Sequence, residues 1–324
     1  MIDFCILGSG IAGSTIANLL STKYKVEIFE KAKGYGGRSS NRRYKKNLSF
    51  DHGLQYINPK SKEFNLFIKN LKRKGVLKIW DGNHIDFTHK KMSTKYIGSK
   101  ANNDISKYLV KNIKTNLNVK ITRINFKKTY WEIWFSNEFV LCKNLILTLP
   151  HPQTTQLGKC YFNDQFNNLK VKMEPNITIM AAFKKTSNLN ISSMKFDNEK
   201  ISWAASENSK KRFKSKLNLW TIQASANYSK KIINKYKNKK QLYCNDLLKT
   251  FCKLTGFEYK NIIFKNIHGW KFSYNYKKTK YSSYWDKKYR LGICADWLLG
   301  PKAENAWLSA KDLYKRIKKT PLIS

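Results

Sequence analysis

Residues 2–31 read IDFCILGSGIAGSTIANLLSTKYKVEIFEK, and the order of textures along them decides the fold. IDFCIL is an apolar run of strand length, GSGIAG sets three glycines in the spacing Gly8-x-Gly10-x-x-Gly13, STIANLL carries apolar residues at helical spacing, and KVEIFEK (25–31) is a second strand. Strand, glycine turn, helix and strand within about 30 residues make the first unit of a doubly wound parallel sheet. Gly8 permits the tight turn, Gly10 lets a pyrophosphate approach the backbone, and Gly13 lets helix and strand pack closely. The helix start, with Ile11 and Ala12 in its first turn, offers free N–H groups and the positive end of a dipole to phosphates. Glu30 ends the second strand 17 residues after Gly13, just before Lys31, where a carboxylate can accept both hydroxyls of an adenosine ribose. An acidic residue there argues against a 2'-phosphate. The plainer alternative is a glycine turn without a ligand, and the motif alone does not separate NAD from FAD.

Outward from this unit, a helical stripe over 64–79 breaks near Gly75, and DISKYLVKNI (104–113) predicts another helix. Strands are expected at 118–126, then at 130–135 and 138–143 as a hairpin, then at 144–150, 177–183, 201–205 and 218–226. A helix over 240–255, a strand over 261–272, a strand and turn in LGICADW (291–297) and a last helix from 303 complete the pattern. No linker separates two halves, so two domains would be interleaved.

With 324 residues, 41% of them hydrophobic, the chain can bury a large core. No apolar run is long enough for a membrane-spanning helix, and the apolar start lacks the basic region and cleavage site of a secretory signal. Six cysteines without a CxxC pair or a nearby histidine at ligand spacing read as buried, reduced thiols, and a cytoplasmic location is expected. No metal site is expected. Sixty-three Lys and Arg against 21 Asp and Glu give a formal charge of +42. The lysines are spread along the chain with no RNA-binding or helix-turn-helix signature, so specific nucleic-acid binding is not expected, whereas attraction of anionic small molecules is.

A second glycine pair follows in GYGGRSSNRR (34–43), four residues after Glu30. It resembles the GG doublet of the FAD-dependent flavin amine oxidase superfamily. The resemblance implies that Gly36 and Gly37 bring backbone to the pyrophosphate and that Arg38 adds a charge-assisted contact; a basic surface turn is the plainer alternative. FDHGLQYI (50–57) is similar to the segment that lies along the isoalloxazine ring in bacterial renalase-like flavoproteins, with Gly53 leaving room for the ring and Gln55 and Tyr56 beside it. Pro150-His151-Pro152-Gln153, WAASENSKKR (203–212), HGWKF (268–272) and LGICADWLLGPKAENAWLSA (291–310) resemble the same group. In that group a strand ending in Gly-Asp returns to the cofactor. Asp296 takes the acidic position here, Ala295 stands where glycine is usual, and Glu304–Ser309, including Asn305 and Ala306, would form the turn into the following helix. The strand containing Ile121 resembles the one whose backbone meets the adenine edge.

The resemblance implies an α/β fold in which a Rossmann-type FAD-binding domain (1–58, 96–150 and 286–324) is interleaved with a smaller substrate domain (59–95 and 151–285) built on an antiparallel sheet plus helices. FAD is the implied cofactor, a small anionic or nucleotide-like molecule the substrate and O2 the electron acceptor. The implied reaction is oxidation of isomeric dihydronicotinamides. Of five histidines (52, 84, 89, 151 and 268), none forms a Ser/His/Asp or metal constellation. His268 is the candidate catalytic residue, with a hydrogen-bonded structural histidine as the alternative. An amine oxidase or desaturase of the same superfamily is a second reading, and a basic nucleic-acid-binding module with a degenerate nucleotide fold a third.

Overall fold

The computed structural model describes residues 1–45, 47–87, 94–184 and 190–320. Two large sheets organise them. The first runs, from one edge to the other, Tyr284–Asp286, Leu291–Ile293, Glu138–Leu147, Ile2–Leu7, Val26–Glu30 and Lys114–Leu117. Ile2–Leu7 lies parallel to both Val26–Glu30 and Glu138–Leu147, and every residue of it but Asp3 is buried. That is why IDFCIL is apolar throughout and not alternating: helices or loops cover both faces of a parallel sheet. On one face pack Ile16, Ala17 and Leu20 of helix Ile11–Leu20 together with Leu313 of helix Ala303–Lys318. On the other lie Trp131, Phe162, Trp297 and Leu298.

The second sheet runs Ile262–Tyr274, Glu174–Lys184, Leu217–Ala224, Ile201–Ser206, Ser193–Lys195 and His84–Asp86, antiparallel except for its last pair. Here the two faces differ. Ile177, Ile179, Ala181 and Phe183 point to a core closed by Leu247, Leu248 and Phe251 of helix Lys240–Thr255. Burying a side chain such as Phe251 contributes roughly 2–3 kcal/mol. The intervening positions, Thr178 among them, face the first sheet's loops.

The expected helix over 240–255 is found with those bounds. The segments expected as separate strands at 138–143 and 144–150 form one strand, Glu138–Leu147. The expected break fell between Lys143 and Asn144, and both side chains instead serve the sheet: Asn144 Nδ2 donates to Asp3 O at 2.9 Å and Lys143 pairs with the Asp3 carboxylate at 3.2 Å. The strand changes partners at Cys142, opposite Trp131 on the antiparallel side and Ile2 on the parallel side. The helix expected over 104–113 stops at Leu109, because Lys114–Leu117 pairs with Val26–Glu30 and the chain must extend to reach it. The strand expected from 118 starts at Arg123; Asn118 turns the chain in a left-handed conformation, and Val119 N–H bonds Glu30 O at 2.9 Å. The stripe over 64–79 is a helix only over Lys62–Arg73, after which Gly75 reverses the chain into the strand Leu77–Ile79.

Candidate active site

Gly10 and Gly36 form an isolated parallel bridge, with Gly36 N–H donating to Ser9 O at 3.1 Å. The two glycine segments thus make one surface at the N-terminus of helix Ile11–Leu20. A side chain at Gly10 would meet nothing nearer than Gly36 O at 3.9 Å, so space stands open over that glycine. At Gly13 a Cβ would sit 2.0 Å from Gly8 O, so the third glycine serves helix–strand contact, and Gly8 itself turns with φ 106°. Gly36 has φ 101° and Gly37 φ 51°, which only the missing Cβ makes cheap. Ile11 and Ala12 supply the first helical N–H groups, which have no intrahelical acceptor.

Glu30 is buried, its Oε2 accepting from Ser9 N (2.9 Å) and Ser9 Oγ (3.0 Å) and its Oε1 from Ala32 N (2.8 Å). Oε2 thus already accepts two bonds, whereas Oε1 accepts one and keeps acceptor capacity. Lys31 beside it is exposed. Ile121 passes the same strand end, and neither its N–H nor its C=O is hydrogen-bonded among the described residues.

Arg38 answers why a guanidinium follows the glycine pair. Its Nη2 pairs with Asp296 Oδ1 at 2.5 Å and its Nη1 with Oδ2 at 2.9 Å, while Nη1 also donates to Ser273 O at 2.6 Å. A two-toothed Arg–carboxylate bond fixes orientation as well as distance. It joins the second glycine segment to the C-terminal return, 258 residues away in sequence. Ala295, in place of the usual glycine, is extended (φ −164°), so alanine fits. Glu304–Ser309 are already helical and not a turn, because helix Ala303–Lys318 begins sooner than expected. Glu304 accepts from Lys60 N and Ser61 N at the start of helix Lys62–Arg73, Asn305 Nδ2 ties Leu299 O and Gly300 O, and Ala306 is buried against the first sheet.

Loop 52–56 runs between the two sheets. At Gly53 a Cβ would lie 2.0 Å from Arg38 O and 3.2 Å from Trp270 Cζ2. The bare α-carbon there therefore makes room for the protein's own backbone. Gln223 Nε2 donates to Gly53 O at 2.8 Å and Trp270 Nε1 to His52 O at 2.9 Å. Gln223 belongs to a cross-strand row of the second sheet, His268, Thr178, Gln223, Trp203, Lys195 and Asp86, so the polar face of that sheet is the one aimed at the loop. Tyr56 is half-buried, its ring 5.6 Å from Trp203.

His268 lies 4.5 Å from Trp270 and 4.8 Å from His52, ring centre to ring centre. Burial, reinforced by Arg42 and Lys237, lowers the His268 pKa to about 4; burial, His268 and Arg42 lower that of His52 to about 3. Both imidazoles are thus neutral at neutral pH. His84 and His151 lie elsewhere, against Ser193 and Trp297 respectively, and His89 lies outside the described residues.

The two histidines predict an acid-sensitive fold. Each binds fewer protons folded than unfolded between its ordinary value near 6.5 and its depressed one, so stability is full above about pH 6.5 and falls as pH drops toward 4. Denaturant midpoints measured from pH 7.5 to 4.5 should fall, and less steeply for a His52→Gln/His268→Gln double variant. Equal slopes for the two proteins would overturn the assignment.

Sequence reading missed the residues beneath this loop. Asp51, Lys210, Glu207 and Arg212 form a buried quartet, with side-chain exposures of 0%, 0%, 1% and 3%. Lys210 Nζ bridges Asp51 Oδ2 (2.9 Å) and Glu207 Oε2 (3.0 Å), and Arg212 Nη1 bonds Asp51 Oδ2. Lys210 and Arg212 hold the Asp51 carboxyl well below its ordinary range despite burial, whereas burial wins for Glu207 and raises it. Nothing local in KKR (210–212) marks two of its cations as buried. Lys211 in the left-handed region (φ 50°) turns outward and lets the cations on either side of it turn inward. Among the described residues no group of His, Cys, Asp or Glu is placed to hold a metal ion, and no helix is long and apolar enough to cross a membrane.

The residues fit an FAD. The open space over Gly10 suits a pyrophosphate, Glu30 Oε1 and the Ile121 backbone retain hydrogen-bonding capacity, and three buried polar atoms, His52 Nδ1, Gln55 Oε1 and Trp203 Nε1, have no partner among the described residues.

A family model described as an NAD(P)-binding Rossmann-like domain matches residues 6–71. Solved structures match along nearly the whole chain. A putative protoporphyrinogen oxidase from Exiguobacterium sp. 255-15 is 10% identical, with a TM-score of 0.74 over 98% of this chain and 99% of that one. Cyclohexylamine oxidase from Brevibacterium oxydans IH-35A is 9% identical, with a TM-score of 0.71 over 98% and 99%. A putrescine oxidase triple mutant made for redesign of cofactor binding is 8% identical, with a TM-score of 0.72 over the same shares. At this identity the likeness concerns the fold: a mixed α/β architecture with a Rossmann-like unit, arranged as in the amine oxidases named.

Proposed function

We propose that the chain is an FAD-dependent oxidoreductase that oxidises isomeric dihydronicotinamides, as the renalase-like resemblance implies. The observation that carries the cofactor is the convergence of three distant segments on one surface: Gly8–Gly13, Gly36–Arg38 and Asp296. In this reading the first sheet with its helices holds FAD, over 1–58, 96–150 and 286–324, and the second sheet, within 59–95 and 151–285, holds the substrate. The chemistry a bound FAD would supply is acceptance of a hydride and its return as two electrons and one proton to O2, which with a second proton from solvent gives hydrogen peroxide. The protein's part is to bind and to orient. The helix N-terminus, with Arg38 beside it, would hold anionic oxygens, and Glu30 Oε1 would accept from a ribose hydroxyl. Gln55 and Tyr56 would line the ring, with Trp203 beyond them, and His268, neutral at neutral pH, would add no positive charge to a substrate ring that becomes cationic on losing hydride. The formal charge of +42 favours a phosphate-bearing substrate and disfavours a polyamine.

Amine oxidation is the second reading, favoured by the likeness to amine oxidases of the same architecture. One experiment separates the two. The purified protein, reconstituted with FAD, should show flavin absorption that bleaches anaerobically with 2- and 6-dihydronicotinamide isomers and recovers with O2. Bleaching by amines alone would replace the substrate, and no retained flavin would sink both readings.

A further inference from the structure

The buried quartet lies one residue from the loop that this reading sets against the flavin, and one of its members reaches that loop by a second route. Arg212 engages three partners, one with each guanidinium nitrogen: Nη1 with Asp51, Nη2 with Asn102 Oδ1 at 2.9 Å and Nε with Gly98 O at 3.0 Å. Asn102 is 1% exposed, and its N–H, Oδ1 and Nδ2 are all engaged. Its N–H donates to Asp51 Oδ1 at 3.1 Å, its Oδ1 also accepts from Gly98 N at 3.0 Å, and its Nδ2 donates to Leu54 O at 2.7 Å and to Gln55 O at 2.9 Å. The donors on Oδ1 and the carbonyls on Nδ2 allow only this orientation of the amide.

We propose that Arg212 and Asn102 are positioning residues: together they set the backbone of loop 52–56, Arg212 clamping Asp51 at its start and Asn102 gripping the carbonyls of residues 54 and 55. The quartet is the anchor of this relay. Two cations and two carboxylates cancel, so Arg212 is held in a dry site without an unpaired charge nearby. Glu207 closes the circle by accepting Asp51 N–H at 3.2 Å and the Thr221 hydroxyl at 2.7 Å. Thr221 sits two residues before Gln223, which grips Gly53 O, so the loop and the polar face of the second sheet are located by the same cluster. The relay stands on these contacts alone; only its consequence for a bound flavin rests on the FAD reading.

Asn102→Ala removes the grip and leaves all four charges in place, and Arg212→Lys keeps the charge and loses the fork. Hydrogen exchange of the ligand-free protein is the first readout. Amides of 53–57 should exchange about tenfold faster or more in Asn102→Ala, with the Ile177–Phe183 sheet core unchanged, and Arg212→Lys should move the same amides. The second readout is the visible circular dichroism of added FAD, which should change shape in both variants. Unchanged loop exchange in both, or protection lost evenly over both sheets, overturns the proposal and leaves the cluster a stability element only. If the wild type binds no FAD, the cofactor reading fails while the exchange data still decide the relay.

Discussion

Lys210→Met is expected to destabilise the protein by about 3–5 kcal/mol at neutral pH, the usual consequence of removing one partner from a buried ion pair. Lys210 is fully buried and, among the described residues, is the cation in ion-pair contact with Glu207, which keeps the Thr221 hydroxyl and Asp51 N–H as its remaining donors. Asp51 retains Arg212, Asn41 and Asn102, so the damage falls on Glu207. That carboxyl is already raised by burial, and without Lys210 it rises further and takes up a proton. A carboxyl that binds more protons folded than unfolded makes stability fall as pH rises, so the variant should lose more at pH 8 than at pH 5. Adding Glu207→Gln should restore most of the loss, since the pair is then removed and no charge is stranded. Denaturant midpoints of the two single variants and the double variant at both pH values test this. A Lys210→Met protein as stable as wild type, with no pH dependence, would show that the quartet carries no net interaction.

What the sequence disclosed and what it hid follow from range. The glycine spacing, the strand IDFCIL and the helix 240–255 are local patterns, each set by periodicity and backbone geometry within a few residues. The residues proposed for the cofactor each stand in a motif, and the structure brings Arg38 and Asp296 together although neither motif mentions the other. Partners without a motif were not legible. Asn102 sits in KANND, which reads as a polar loop, and Lys210 and Arg212 sit among 63 basic residues where nothing local distinguishes a buried cation from a solvated one. Burial is a property of the fold, and only a turn such as that at Lys211 decides which of three consecutive cations goes inside. The break expected at Lys143-Asn144 failed for the same reason, since the partner of both residues is Asp3, 140 positions away.

Gly10 and Gly53 are both read from sequence as room for the cofactor, and replacing each by alanine should separate two different needs. Gly10 has φ −68° and ψ −178°, which alanine adopts freely, and its Cβ would find nothing within 3.9 Å. Gly10→Ala should therefore leave stability unchanged or raise it by up to about 1 kcal/mol through the unfolded chain. Its methyl group would nevertheless stand in the space over which a pyrophosphate would lie, and FAD affinity should fall by about a hundredfold, the loss of about 3 kcal/mol of close contact. Gly53→Ala inverts the order of effects. Its Cβ would sit 2.0 Å from the backbone oxygen of Arg38, a group that cannot swing aside, because Leu54 N–H is bonded to that same oxygen at 2.9 Å and the Arg38 fork is fixed on Asp296. The strain should lower stability by about 1–3 kcal/mol before any ligand is added. It should weaken FAD as a consequence, by shifting loop 52–56 and the arginine together. Thermal unfolding of the ligand-free variants and FAD titration give the two orders directly. A Gly10→Ala protein that binds FAD as wild type does would remove the phosphates from that glycine. A Gly53→Ala protein of normal stability would mean that the Arg38 carbonyl can yield, and that the glycine answers to the ring after all.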